Sequence, residues 1–330
     1  MPSCVNRLCF LFAVLTSTAN FIYAQTDSIK AERDYLSISS LSIVPPFRIS
    51  GGAPRAEGYD GYPVNPASLE VDPFRTDINY TILAGLGVGY IGAAAYLHIY
   101  QKNAWWADDR VKFHFTNDWN YALAIDKIGH FYGTNVMAHA FSGAFDASNV
   151  QAEQSALYSA LAAFSFEMLI EYEDGYGKEW GFSPGDFAAD LAGGLFYLGQ
   201  YYYPFLKNFQ PRFSYLPTKE FKENPNKIII DDYEGQKYWI SMRVKNFLPD
   251  KAAEYWPSFL NLSAGMGVKY LDGAGGGQRE FYLALDIDAE ELIPFDGPFW
   301  IFVKNSLNYF HFPMPGIRIT PDSAFFGIVF

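Results

Sequence analysis

Cysteine is almost missing from this chain. Only Cys4 and Cys9 occur, and no thiol follows residue 9. Past that point, disulfides, cysteine–metal sites and cysteine nucleophiles are excluded. Positive charge is also thin: 24 Lys and Arg stand against 36 Asp and Glu, a net charge of −12. No polybasic run appears, and a chain of this sign repels polyphosphate, so no nucleic-acid partner is expected. The nearest thing to a nucleotide loop is the series Gly85, Gly87, Gly89 and Gly92. No βαβ pattern surrounds it, so no nucleotide is expected either. No recognisable nucleophile motif appears, and no cofactor signature names a cofactor or a metal.

Apolar residues are plentiful. Half the chain is hydrophobic and 18% is aromatic, enough to build a core. The first residues place Arg7 before an apolar run from Leu8 to Ala19, and Ala24 before Gln25. That order predicts a signal peptide over 1–24, cut after Ala24.

Residues 25–78 are punctuated by Pro45, Pro46, Gly51, Gly52, Pro54 and Pro63, which predicts an irregular segment with one strand, Leu36–Val44. Residues 79–206 read as a helical domain. A first helix over 79–100 contains the four glycines, which are expected to let another helix approach closely. Three more run from about Asp118 to Phe145, Ala152 to Tyr172 and Ser183 to Tyr203, with Thr116, Asn117 or Asp118 capping the first of these and Pro204 stopping the last. Each nears the length of a membrane span, yet Gly, Ser and charge dilute them. A membrane bundle and a water-soluble bundle with broad apolar faces both fit.

From residue 212 to 330 the period changes to two. Ile240 and Met242, then Leu260, Leu262, Ala264 and Met266, then Phe281, Leu283, Leu285 and Ile287 alternate with smaller or polar residues. This predicts antiparallel strands, with a hairpin turn at Asp272. Trp300–Phe310 and Ala324–Phe330 are expected to add two more. The fold class is therefore α+β: about four apolar helices followed by an antiparallel sheet. The ending on Phe330 resembles the last strand of outer-membrane barrels, although five or six strands fall short of the usual eight.

Ionisable residues sit inside these apolar helices, where they cost free energy unless partnered. Asp126 and His130 are four apart and share a helical face; Glu167 with Glu171, and Asp186 with Asp190, do the same. If the three helices pack together, those faces converge. Ser183-Pro184-Gly185-Asp186 reads as a helix start, with Asp190 one turn deeper and Gly193 and Gly194 open to close packing. Lys127 adjoins Asp126 in sequence, and adjacent helical side chains diverge, so no bridge between them is expected. Asp174 closes an acidic helix end with Glu171 and Glu173.

Asp126-Lys127-x-x-His130-Phe131, Glu171-x-x-Asp174 and Ser183-x-x-Asp186-x-x-x-Asp190-x-x-Gly193 resemble the YfiM-like family. These are uncharacterised exported bacterial proteins, many predicted to be periplasmic lipoproteins. More distantly the segment is similar to the VanZ-like membrane proteins. The resemblance covers roughly residues 80–204 and implies an envelope location and a shared polar site, without an activity. Cys9 begins the apolar run rather than following it, so the chain departs from the family in lacking a lipobox cysteine.

Three readings compete. In the first, the chain is a structural or assembly protein of the envelope whose polar cluster fixes helix register. In the second, it is an enzyme acting on a lipid or envelope precursor. His130 is then acid or base, and Glu171, Asp186 and Asp190 orient it or hold a divalent metal. In the third, the sheet binds membrane lipid or another envelope protein. The expected location is the envelope, membrane-associated, in the outer membrane or periplasm with the inner membrane as alternative.

Overall fold

The computed structural model describes residues 78–330 apart from 105, 107–109, 224–228, 274 and 296. The signal peptide and the Leu36–Val44 strand lie outside the described residues. Four long helices come first: α1 (Tyr80–Ala104), α2 (Ile125–Ala147), α3 (Ala152–Asp174) and α4 (Pro184–Tyr202). Six strands follow: β1 (Phe209–Tyr215), β2 (Gln236–Met242), β3 (Leu260–Lys269), β4 (Gln278–Ile287), β5 (Met314–Thr320) and β6 (Ala324–Val329). They form one antiparallel sheet in sequence order. The α+β reading holds. Trp300–Phe310 is a correction: Pro298–Leu307 is a helix, α5, with Pro298 at its first turn. A short apolar run fits either period, and the proline at N1 decided it.

Helix α2 begins later than its sequence suggests. Ala122, Leu123 and Ala124 all take left-handed backbone angles, with φ of 44°, 58° and 67°. Such a conformation costs roughly 1–2 kcal/mol per L-residue. The Leu123 carbonyl accepts Arg279 Nε at 3.0 Å, which ties this turn to β4. Asp118 is therefore not the cap of α2, and its carboxylate is free for another use.

α2, α3 and α4 pack on small residues. A Cβ on Gly193 would stand 2.3 Å from the Phe131 carbonyl oxygen, so only glycine lets α4 come this close to α2. Gly194 faces α3, with Ala160 O at 3.4 Å from such a Cβ. The close packing expected there is present. The glycines of α1 are different: Gly85, Gly87, Gly89 and Gly92 have nothing within 4 Å of a built Cβ. Among the described residues no helix approaches them, contrary to the sequence reading. α1 touches the bundle elsewhere, through Tyr90 edge-on to Phe141 and Phe166.

Polarity is inverted in the bundle. The buried stripe of α3 is Ser155, Ser159, Ala163, Glu167 and Glu171, one residue per turn. On α4 the buried residues include Asp186, Asp190 and Gln200, while Phe187, Leu191 and Leu195 are exposed.

The sheet repeats the inversion. One face buries Ser241, Ser263, Glu280 and Asp286 around Trp239, Tyr282, Ala284 and Val329. The other carries a row set by strand register, Ile240, Ala264, Leu283, Ile317 and Phe325, one residue from each of five adjacent strands. All five are exposed. The outer edge of β1 is covered: Phe213 N donates to Tyr309 O and His311 N donates to Phe213 O, both at 2.9 Å. That bridge pairs the edge at its centre. α2 joins bundle to sheet through Tyr132, whose ring lies against Phe213 and Tyr238 and whose hydroxyl donates to Tyr309 O at 2.8 Å.

Candidate functional site

Three helices deliver the polar residues to one place. His130 comes from the second turn of α2, Glu167 and Glu171 from the C-terminal half of α3, and Asp186 and Asp190 from the first two turns of α4. Their fourfold spacing is the reason: it keeps each pair on the buried face of its helix. His130 Nδ1 lies 3.1 Å from Asp190 Oδ1, and its Nε2 lies 3.7 Å from Asp186 and 4.0 Å from Asp126. A carboxylate only accepts, so Nδ1 carries the proton of the Asp190 contact. The Thr134 hydroxyl is 3.0 Å from both Asp190 Oδ1 and the His130 carbonyl oxygen, with a single proton for the two.

A second group gathers on Lys127. Its ammonium donates to Asp118 at 2.7 Å and to Asp126 at 2.9 Å, and stands 2.7 Å from Asp186. The Asp126–Lys127 contact corrects the expectation of no bridge. At a helix start the long lysine stem folds over to the point where the three carboxylates meet, so divergence at Cα does not separate the tips. Tyr233, from the sheet side, donates to Asp126 Oδ1 at 2.8 Å. In the loop before α2, burial raises the cost of charge on Asp118, yet hydrogen bonds from Lys127 and Ser183 hold its carboxyl below the usual range.

Ser183 and Glu171 act as connectors. The Ser183 hydroxyl accepts the Asp186 amide at 3.1 Å as the α4 cap and donates to Asp118 at 2.5 Å. Glu171 accepts the Ser183 amide at 3.0 Å, tying the end of α3 to the start of α4. Asp174 stands apart from His130 and accepts the Trp106 indole N–H at 2.5 Å. Sequence reasoning placed Asp118 as a cap and did not single out Thr134 or Tyr233. Nothing in their local spacing marks them, because their partners come from distant segments.

The sheet interior holds a second network that sequence reasoning passed over. Asp286, fully buried, accepts Ser263 at 2.6 Å and Arg212 at 3.1 Å, with His311 Nδ1 also at 3.1 Å. Burial opposes its charge, but His311 and Arg212 hold the carboxyl below the ordinary range. The signal was present in the alternation of β4, which puts Asp286 on the face opposite Leu283 and Leu285.

Two sets of three side chains converge closely enough to share one cation: Asp126, His130 and Asp186, and His130, Glu167 and Asp190. In each set one donor atom per residue lies within 4.8 Å of the others. An open groove lined by Trp119, Ile128, Phe131, Met266 and Phe281 reaches Lys127 from outside.

A comparison with curated proteins finds no match, and a comparison with solved structures finds none. Residues 114–200, which carry His130 and every carboxylate of this centre, match the model of a family described as "Predicted periplasmic lipoprotein (DUF2279)".

Proposed function

We propose that this chain is an integral membrane protein of the bacterial envelope, in which the His130 and Lys127 networks hold three helices in register while lipid covers the apolar exterior. One observation carries the reading: the same inversion of polarity in helices and sheet. In water, fully burying a Leu, Ile or Phe side chain gains about 1.5–3 kcal/mol, and the exterior here forgoes that gain along whole rows. In lipid the exposed row costs nothing, and polar groups belong inside, satisfied by one another. α1 adds support: it has the length and apolar composition of a membrane span, and none of that span is buried in the protein. The family description supports an exported, envelope location. In this reading α1 crosses the bilayer, and the exposed apolar faces of α3, α4 and the sheet lie against its surface.

The buried network then acts as a registry device, a use for which buried polar groups are well attested. The test is fractionation of cells into inner and outer membranes followed by a carbonate wash. The chain is expected to stay with one membrane pellet after the wash. Release into the supernatant contradicts the reading, and leaves the apolar rows to be covered by residues 25–77 or by a second copy.

A further inference from the structure

We propose that His130, Glu167 and Asp190 form a binding site for one first-row divalent cation of the Mn2+ or Zn2+ type. The site stands on geometry within the bundle and does not depend on lipid outside it.

Two candidate sets share His130, and their surroundings separate them. The set on Asp126 and Asp186 already holds a cation, because the Lys127 ammonium sits 2.9 Å and 2.7 Å from those two carboxylates. Among the described residues, the set on Glu167 and Asp190 has no lysine or arginine in contact. Asp190 is fully buried, and its Oδ2 has no hydrogen-bond partner among the described residues. Such a buried acceptor is destabilising if nothing meets it. Glu167, also buried, makes no hydrogen bond among the described residues, and its Oε1 lies 3.2 Å from the Cβ position of Gly133. A side chain there would press on the carboxylate; glycine leaves it room.

The donor set fixes the class of ion. One imidazole and two carboxylates suit a borderline divalent ion better than a soft one. Donors bound at about 2.0–2.2 Å cannot be more than about 4.4 Å apart. The three donor atoms lie within 4.8 Å of one another, so one ion reaches all of them with at most a small rotamer shift. His130 would bind through Nδ1, giving up the proton now shared with Asp190. Its Nε2–H then faces Asp186 and Asp126, the outer-shell carboxylate arrangement that orients a metal-binding imidazole. Two carboxylates and a neutral imidazole balance a 2+ charge, and binding releases protons.

The experiment uses the full chain purified in detergent, stripped with a chelator and titrated with MnCl2 and with ZnCl2. One equivalent is expected to bind, with a rise in the unfolding midpoint and, for Mn2+, a nitrogen coupling in the pulsed EPR spectrum. Glu167→Gln is expected to weaken binding at least 100-fold while the metal-free midpoint stays level or rises, since the amide fills the same space and the carboxyl it replaces has no hydrogen bond to lose. Asp190→Asn is expected to weaken binding similarly, and Glu171→Gln to leave it within threefold. A wild-type chain that binds neither ion overturns the proposal. So does binding that survives Glu167→Gln, a variant expected to fold even if Asp190→Asn does not.

Discussion

His130 on α2 and Asp190 on α4 are separated by 60 residues in sequence and by 3.1 Å in the fold, with Asp190 wholly buried. That contact fixes the rotation of α4 against α2, since one turn in either direction removes it. Asp190→Ala deprives His130 of its acceptor and leaves the Thr134 hydroxyl only the His130 carbonyl oxygen. A loss of about 3–5 kcal/mol is expected, the usual cost of breaking a buried charged pair from one side. Chemical unfolding in detergent reads it, and a loss under 1 kcal/mol would mean the pair does not hold the bundle.

Lys127→Met leaves Asp118, Asp126 and Asp186 without their shared cation. The three carboxylates then repel one another in a half-buried site. A loss of about 3 kcal/mol or more is expected, visible as a collapse in the yield of folded protein. Adding Asp126→Asn to Lys127→Met is expected to recover part of it, because one of the repelling charges is gone.

Two glycine substitutions are expected to move in opposite directions. Gly193→Ala puts a methyl group 2.3 Å from the Phe131 carbonyl oxygen, where only backbone movement makes room. About 1–3 kcal/mol of destabilisation is expected. Gly89→Ala in α1 meets nothing within 4 Å, and helix propensity alone predicts a gain of about 0.5–1 kcal/mol. Thermal midpoints of the two variants, measured side by side, check the pair.

The sheet interior predicts an acid transition. The Asp286 carboxyl has a folded pKa below its ordinary value, so between the two values the unfolded chain binds the extra proton. Stability from this group is complete above the ordinary value of about 3.9 and is lost as pH falls through the folded value. Asp286→Asn is expected to flatten that part of the stability profile below pH 4 while lowering stability at neutral pH. A wild-type profile with no slope in this window would count against the buried Arg212–Asp286 pair.

Much of this was legible in the sequence, and the limits are physical. Fourfold spacing of Asp126 with His130, Glu167 with Glu171, and Asp186 with Asp190 encodes a shared face, because the helical period enforces it. Gly193 and Gly194 marked the close approach. The period-two runs gave β3 and β4 nearly to the residue. Spacing alone does not tell which face is buried. Assuming apolar residues inside would have turned β4 the wrong way, with Asp286 outward and Leu283 inward. Asp118, Thr134 and Tyr233 were invisible as members of the centre because their partners arrive from 9 to 107 positions away. The bend at Ala122–Ala124 had no signal either, since alanine and leucine rarely adopt left-handed angles and no glycine stands there.

Charge placed on the exposed row tests what covers it. Leu283→Lys is expected to destabilise the protein by up to about 2–4 kcal/mol if that face meets lipid, depending on depth. A solvent-facing residue would tolerate the change within about 0.5 kcal/mol.

The most direct measurement places a polarity-sensitive fluorophore on single cysteines at Leu191 and Leu283, with Cys4 and Cys9 replaced, in vesicles holding spin-labelled lipid. Emission is expected to shift to the blue and to be quenched by the labelled lipid at both positions, while a probe at Glu179, exposed in the loop between α3 and α4, stays unquenched. Water-like emission without quenching at Leu191 and Leu283 would contradict the membrane reading.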